Sequence, residues 1–245
     1  MWLLTKVHIK LGQRPVYLRR KVMTEILPVI TFEVSRRRIP PATRDWLTKK
    51  RDYLSKTWVK KGPTTLRRIQ RQCGLNFPAR TISEGMTVYL HKRQNSDSLG
   101  GMEETKPLEC EVYIRKSDTW RDIKPTLVHE LIHCLMWQKS YFDLRTGKAT
   151  FFADVFADEL VTSIVECLVL GRKPGYGTCN DAIDYALEET LARLSVTDRR
   201  EKLVKALMVF FEDYRFKIKR KESNILKERE KVLGRLPSLL PEAID

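Results

Sequence analysis

The chain has 245 residues, 42% of them hydrophobic and 31% charged, and a formal net charge of +15. That length is enough to bury a substantial core, and no apolar run approaches the roughly 18 residues that a membrane-spanning helix needs. A soluble globular protein is expected, with no membrane partner.

Five cysteines (Cys73, Cys110, Cys134, Cys167 and Cys179) are scattered and form no CxxC pair. Free thiols in a reducing, cytoplasmic compartment are predicted. The opening MWLLTKVHIKLGQ has a brief apolar start broken by Lys6 and Lys10, so no secretion signal is expected. The charge is uneven: residues 1–80 carry 20 Lys/Arg against four Asp/Glu, a net of +16, and the rest is close to neutral. A basic N-terminal third attracts polyanions, with nucleic acid the obvious candidate. The plainer alternative is a solvated face that aids solubility.

In chain order, residues 1–40 read as a basic, β-rich N-terminal extension with strands at VHIKL, PVYL and ILPVITFEV. A helix is predicted from Pro41 until Gly62 and Pro63 interrupt it. Trp46, Leu47, Tyr53, Leu54 and Trp58 are spaced for one face of that helix, which predicts core packing over base stacking. TTLRRIQRQCG makes a second short helix. MTVYLHKR and ECEVYIRK are expected as neighbouring antiparallel strands joined by a polar loop at 94–106. A helix follows with Asp122 as N-cap and Pro125 in its first turn, then another ending at Gly171. Residues 176–245 read as a helical C-terminal region, with a helix at NDAIDYALEETLARL and a long solvated charged helix over 197–233.

The chemistry concentrates in PTLVHELIHCLMWQ, residues 125–138. Residues four apart share a helix face, so His129 and His133 can aim both imidazoles at one ion. Glu130 projects about 100° further round, within reach of a water beside that ion but not of the ion itself. This is the HExxH spacing of zinc sites in which the glutamate is general base. The structural alternative is a pair of ordinary helix histidines. Their apolar flanks, Leu127, Val128, Leu131, Ile132, Leu135 and Met136, argue against it, because unsatisfied polar groups buried there cost several kcal/mol, about 2–7 each.

On these residues, and over roughly 42–171, the chain resembles the zincin metallopeptidases. The resemblance implies an α+β, zincin-like domain at 41–175: a leading helix, a sheet whose edge strand holds an extended peptide, the VHELIH helix, and a later helix with an acidic ligand. No histidine follows His133, so within that clan the resemblance points to a gluzincin-like site, similar to minimal gluzincins and ImmA/IrrE-type peptidases. There a glutamate completes the zinc site. Asp154, Asp158, Glu159 and Glu166 are the candidates, and Glu159 has the reach and charge of the family's usual ligand. Asp154 is the runner-up, since Asp154 and Asp158 are four apart, so that one can ligate while the other holds a histidine's second nitrogen. The family's ExxxD and EAxxFA patterns are absent from this sequence.

Other residues read as structural. His8 and His91 lie in strand-like stretches, Cys134 belongs to the core, and Tyr141 and Tyr176 pack or supply an oxyanion donor. The expected function is a Zn2+-dependent metallopeptidase acting on a protein or peptide substrate, with His129, His133 and Glu159 as ligands and Glu130 as general base. The alternatives are a DNA-associated metalloprotease recruited by the basic third, or a nucleic-acid-binding or structural protein with a non-catalytic metal.

Overall fold

The computed structural model describes residues 2–6, 17–21, 26–35, 37–94, 99–101, 106, 108–136, 151–174, 181–186 and 222–239, with isolated positions between them. Strands β1 (Trp2–Lys6) and β2 (Tyr17–Lys21) form an antiparallel pair with Trp2 opposite Lys21. VHIKL, read as a strand, lies outside the described residues.

The central sheet contains β3 (Ile30–Val34), β4 (Met86–Lys92), β5 (Gly100–Gly101) and β6 (Glu109–Ile114), in the order β3-β4-β6-β5. Alternate residues of three strands supply its apolar face: Ile30 and Phe32, Met86, Val88 and Leu90, and Cys110, Val112 and Ile114 are all buried. Successive strand side chains point to opposite faces, so this alternation commits one side to the core. β3 falls within the segment read as an N-terminal extension, yet it pairs with β4 along its whole length.

The expected antiparallel pairing of β4 and β6 is wrong: they are parallel, with Val88 opposite Cys110 and Lys92 opposite Ile114. The intervening segment contains β5, which pairs antiparallel to β6 on its far side, Gly100 opposite Val112. The chain thus returns before β6 enters, which makes β6 parallel to β4.

Helix α1 (Pro41–Cys73) is a single element of 33 residues and does not stop at Gly62 and Pro63. Its buried stripe, Leu47, Leu54, Trp58, Leu66, Ile69 and Cys73, runs through the interruption. A Cβ at Gly62 would overlap the Trp58 indole, so glycine there serves packing of the ring. Core burial on both sides of Pro63 outweighs its lost backbone hydrogen bond, a cost of about 3 kcal/mol. Gly74, at φ 66°, ends the helix in the left-handed conformation that glycine adopts without strain. Helix α2 (Ala79–Glu84) leads into β4.

Helix α3 (Trp120–Met136) begins earlier than expected. Asp122 lies in its first turn, and its Oδ2 accepts from the Thr119 backbone N–H at 2.8 Å and from the Thr119 hydroxyl at 2.7 Å. The carboxylate therefore serves the start of the helix from the third helical position, as in a capping box, and Pro125 lies inside the helix. Helix α4 (Phe151–Leu170) ends as expected, with Gly171 at φ 75°.

The C-terminal reading needs correction. The described residues place a turn at Arg220 and non-helical backbone at 222–224, followed by α5 (Ile225–Leu239). Asn224 Oδ1 accepts from Lys227 N–H at 3.0 Å and caps α5. This helix is not simply solvated: Ile225, Val232 and Leu236 are buried, and so are Glu228 and Arg229. The helix expected at NDAIDYALEETLARL is described only over 181–186, where it is helical.

α1 and α3 cover the sheet, with α4 packed on both and α5 on α4. Leu127, Leu131, Ile132 and Leu135 of α3 are fully buried, and each such side chain contributes about 1.5–3 kcal/mol. Among the described residues no helix is long and apolar enough to cross a membrane.

Candidate metal centre

His129 and His133 lie one turn apart on α3, with ring centroids 4.8 Å apart. Their face of α3 meets α4. Glu159 Oε2 lies 3.2 Å from His129 Nε2, and Glu159 Oε1 lies 3.1 Å from His133 Nε2. The two Nε2 atoms are 3.1 Å apart. Ligand atoms from His129, His133 and Glu159 all fall within 4.8 Å of one another.

Two imidazole nitrogens and a carboxylate are the donor set of a three-ligand zinc site. Two like ring nitrogens directed at one carboxylate are also satisfied together by a cation among them. The residues fit a metal ion on both counts.

Burial disfavours charge on His129, but the Glu159 carboxylate, with the hydrogen bonds that the ring donates to Glu159 and Glu166, carries its pKa well above the ordinary value. Burial acts on Glu159 in the raising direction; His133 and His129 overcome it and hold the carboxyl below the usual range. On the other nitrogen of His129, Nδ1, Glu166 Oε2 stands at 3.3 Å. Glu159 and Glu166 are seven apart, two turns of α4, and so share a face.

Glu130 turns towards the sheet edge and is 6% exposed. Burial pushes its carboxyl up, against the pull of His129 and His133. β5 passes so close that a Cβ at Gly100 would overlap Glu130 Oε1 and crowd Thr126 Cγ2 at 2.8 Å. The edge strand thus runs directly beside this carboxyl. Nothing in the local sequence of the 94–106 segment marked Gly100 as part of the site; only the pairing of β5 with β6 brings it there.

The other acidic candidates go elsewhere. Arg229 of α5 donates from Nη2 to Asp154 Oδ1 at 2.8 Å and from Nε to Asp158 Oδ1. Its side chain is buried, as is Asp158. These two aspartates are engaged by a guanidinium and not by the imidazoles, which corrects the runner-up ligand reading. The charged C-terminal run gave no signal singling out Arg229 from its many neighbours.

Cys134 is core, as expected, and its thiol is hydrogen-bonded to Cys110 of β6; that bond and burial push the Cys110 thiol up. His91 lies 3.3 Å from Glu111 and stacks on Tyr113, a structural role. Trp58 is buried, whereas Tyr53 is 43% exposed and its hydroxyl accepts from the Trp120 N–H at 3.3 Å. His8, Tyr141 and Tyr176 lie outside the described residues.

The fold and the site together define a mixed α+β domain with a small four-stranded mixed sheet and a group able to hold a metal ion. No protein-family model, curated protein or solved structure matches the chain.

Proposed function

We propose that the chain is a zinc-dependent, gluzincin-like metallopeptidase, acting inside the cell on an extended segment of a protein or peptide. The observation that carries the reading is the convergence of His129, His133 and Glu159 with a separate buried carboxyl, Glu130, beside them and beside the sheet edge. His129, His133 and Glu159 would hold the zinc, which when bound supplies Lewis acidity that polarises a carbonyl and activates water at neutral pH.

The chain's own groups do the rest. β5 is the edge strand on the side of Glu130, and an extended peptide added there pairs through main-chain hydrogen bonds. Its scissile amide then lies next to Glu130. Glu130 accepts the proton of the attacking water and returns it to the departing amine nitrogen, and a carboxyl raised by burial is better matched to this exchange at neutral pH. Glu166 accepts from His129 Nδ1–H, which orients the ring and leaves Nε2 for the metal. Cys73, Cys110, Cys134 and Cys167 are not in disulfides, which agrees with the intracellular setting.

The test is Glu130→Gln, with zinc measured by elemental analysis and hydrolysis followed on a denatured protein substrate. Hydrolysis falls by about 10²–10⁴-fold with one zinc per chain retained. Undiminished hydrolysis, or a folded wild-type chain that binds no zinc, overturns the proposal. A stabilising metal without catalysis predicts instead that the variant behaves as the wild type in every respect.

A further inference from the structure

α1 carries ten Lys/Arg and only two acids, Asp45 and Asp52, the second held by Arg51 at 2.7 Å. At 100° per residue, Lys49, Lys56, Lys60, Arg67 and Arg71 fall within an arc of about 60°, and all five are exposed. The buried stripe of Leu47, Leu54, Trp58 and Ile69 lies on the opposite side. The cationic row therefore faces solvent along the helix. Because α1 continues through Pro63, both halves contribute to one row of about 33 Å, close to the roughly 34 Å of one duplex turn.

Two other elements widen this surface. Lys61 Nζ lies 5.8 Å from the Trp120 ring of α3, and Lys124 follows Trp120 by one helical turn. Arg68 Nη1 donates to Val169 O at 3.4 Å, which sets α1 against the end of α4, where exposed Arg172 and Lys173 follow. Burial and the charges of Arg68, Lys61 and Arg172 all push the Lys124 ammonium down. These cations repel one another, and a polyanion relieves that repulsion.

We propose that this surface, with α1 along it, binds the phosphate backbone of duplex nucleic acid. A linear array on a rigid helix suits a regularly charged rod, and contacts of this kind position a protein without reading sequence. A membrane surface fits less well. The apolar side of α1 is committed to the core, and of its large hydrophobics only Tyr53 and Val59 are exposed, too little to enter a lipid interface. The surface is independent of the metal centre.

The test is fluorescence anisotropy of the full chain on a DNA duplex of about 20 base pairs, across a salt series, with and without a chelator. Binding is expected to be unchanged by the chelator and to weaken steeply with salt. K56Q/K60Q/R67Q lowers the log–log salt slope by about 3 and weakens binding roughly tenfold or more near 100 mM salt; Lys60→Gln alone lowers the slope by about 1. R80Q/K227Q/R235Q, an equal charge loss placed on α2 and α5, has a much smaller effect. Absence of duplex binding, or equal losses from the two triple variants, overturns the proposal. So does adsorption to phosphatidylserine vesicles that the first triple abolishes while the duplex stays unbound.

Discussion

The two sides of α4 place carboxylates against different cations. On one side Glu159 and Glu166 face the imidazoles of α3; on the other Asp154 and Asp158 grip Arg229 of α5. A buried carboxylate needs a compensating charge on either side. Arg229 carries a permanent one, so on the aspartate side the compensating charge comes from the chain itself. The imidazole side draws its positive charge from something exchangeable, a proton on His129 or a divalent ion. That difference separates a side closed by a permanent charge from one able to take up a metal ion, on which the proposed chemistry rests.

The comparison breaks most severely at Arg229. Arg229→Ala leaves two acids without their shared cation and costs about 3–5 kcal/mol of stability, read as a shift in the urea midpoint. A cost below about 1 kcal/mol would mean that the aspartate side is no stronger than a surface ion pair.

Gly100→Ala tests the chemical side without touching a ligand. The added methyl displaces Glu130, and a misplacement of about 1 Å at the reacting centre lowers kcat by roughly 10²-fold. Zinc content stays at one per chain. An unaltered kcat would show that β5 does not set the position of Glu130.

Glu166→Gln sharpens the contrast further. With its support for His129 weakened, the Kd for zinc rises by about 10–100-fold in competition with a chromogenic chelator, whereas Asp154→Asn leaves it unchanged. Equal effects from both substitutions would erase the distinction between the two sides.

Much of this organisation is legible along the chain. The alternation of Met86, Val88 and Leu90 marks a one-sided strand, and the spacing of His129 and His133 puts two imidazoles on one helix face, because both periodicities are set by local backbone geometry. A glutamate's reach favoured Glu159, but nothing local excluded Asp154 and Asp158 as ligands. All three lie on one helix, and the decision belonged to Arg229, 70 or more positions further on. The continuity of α1 was hidden for a related reason. Gly62 and Pro63 are local signals for a stop, and they are overridden by core packing on both sides, which no window of sequence contains.

By itself, then, the sequence determined the pieces: a basic N-terminal third, one-sided strands, and a helix able to present two histidines and a glutamate. The tertiary structure alone decided their partners: β6 parallel to β4, Gly100 against Glu130, Glu159 with the imidazoles and Asp158 with Arg229. Periodicity acts over a few residues and is written in order along the chain. The pairing of buried charges depends on which groups are desolvated together, and only the completed packing establishes that.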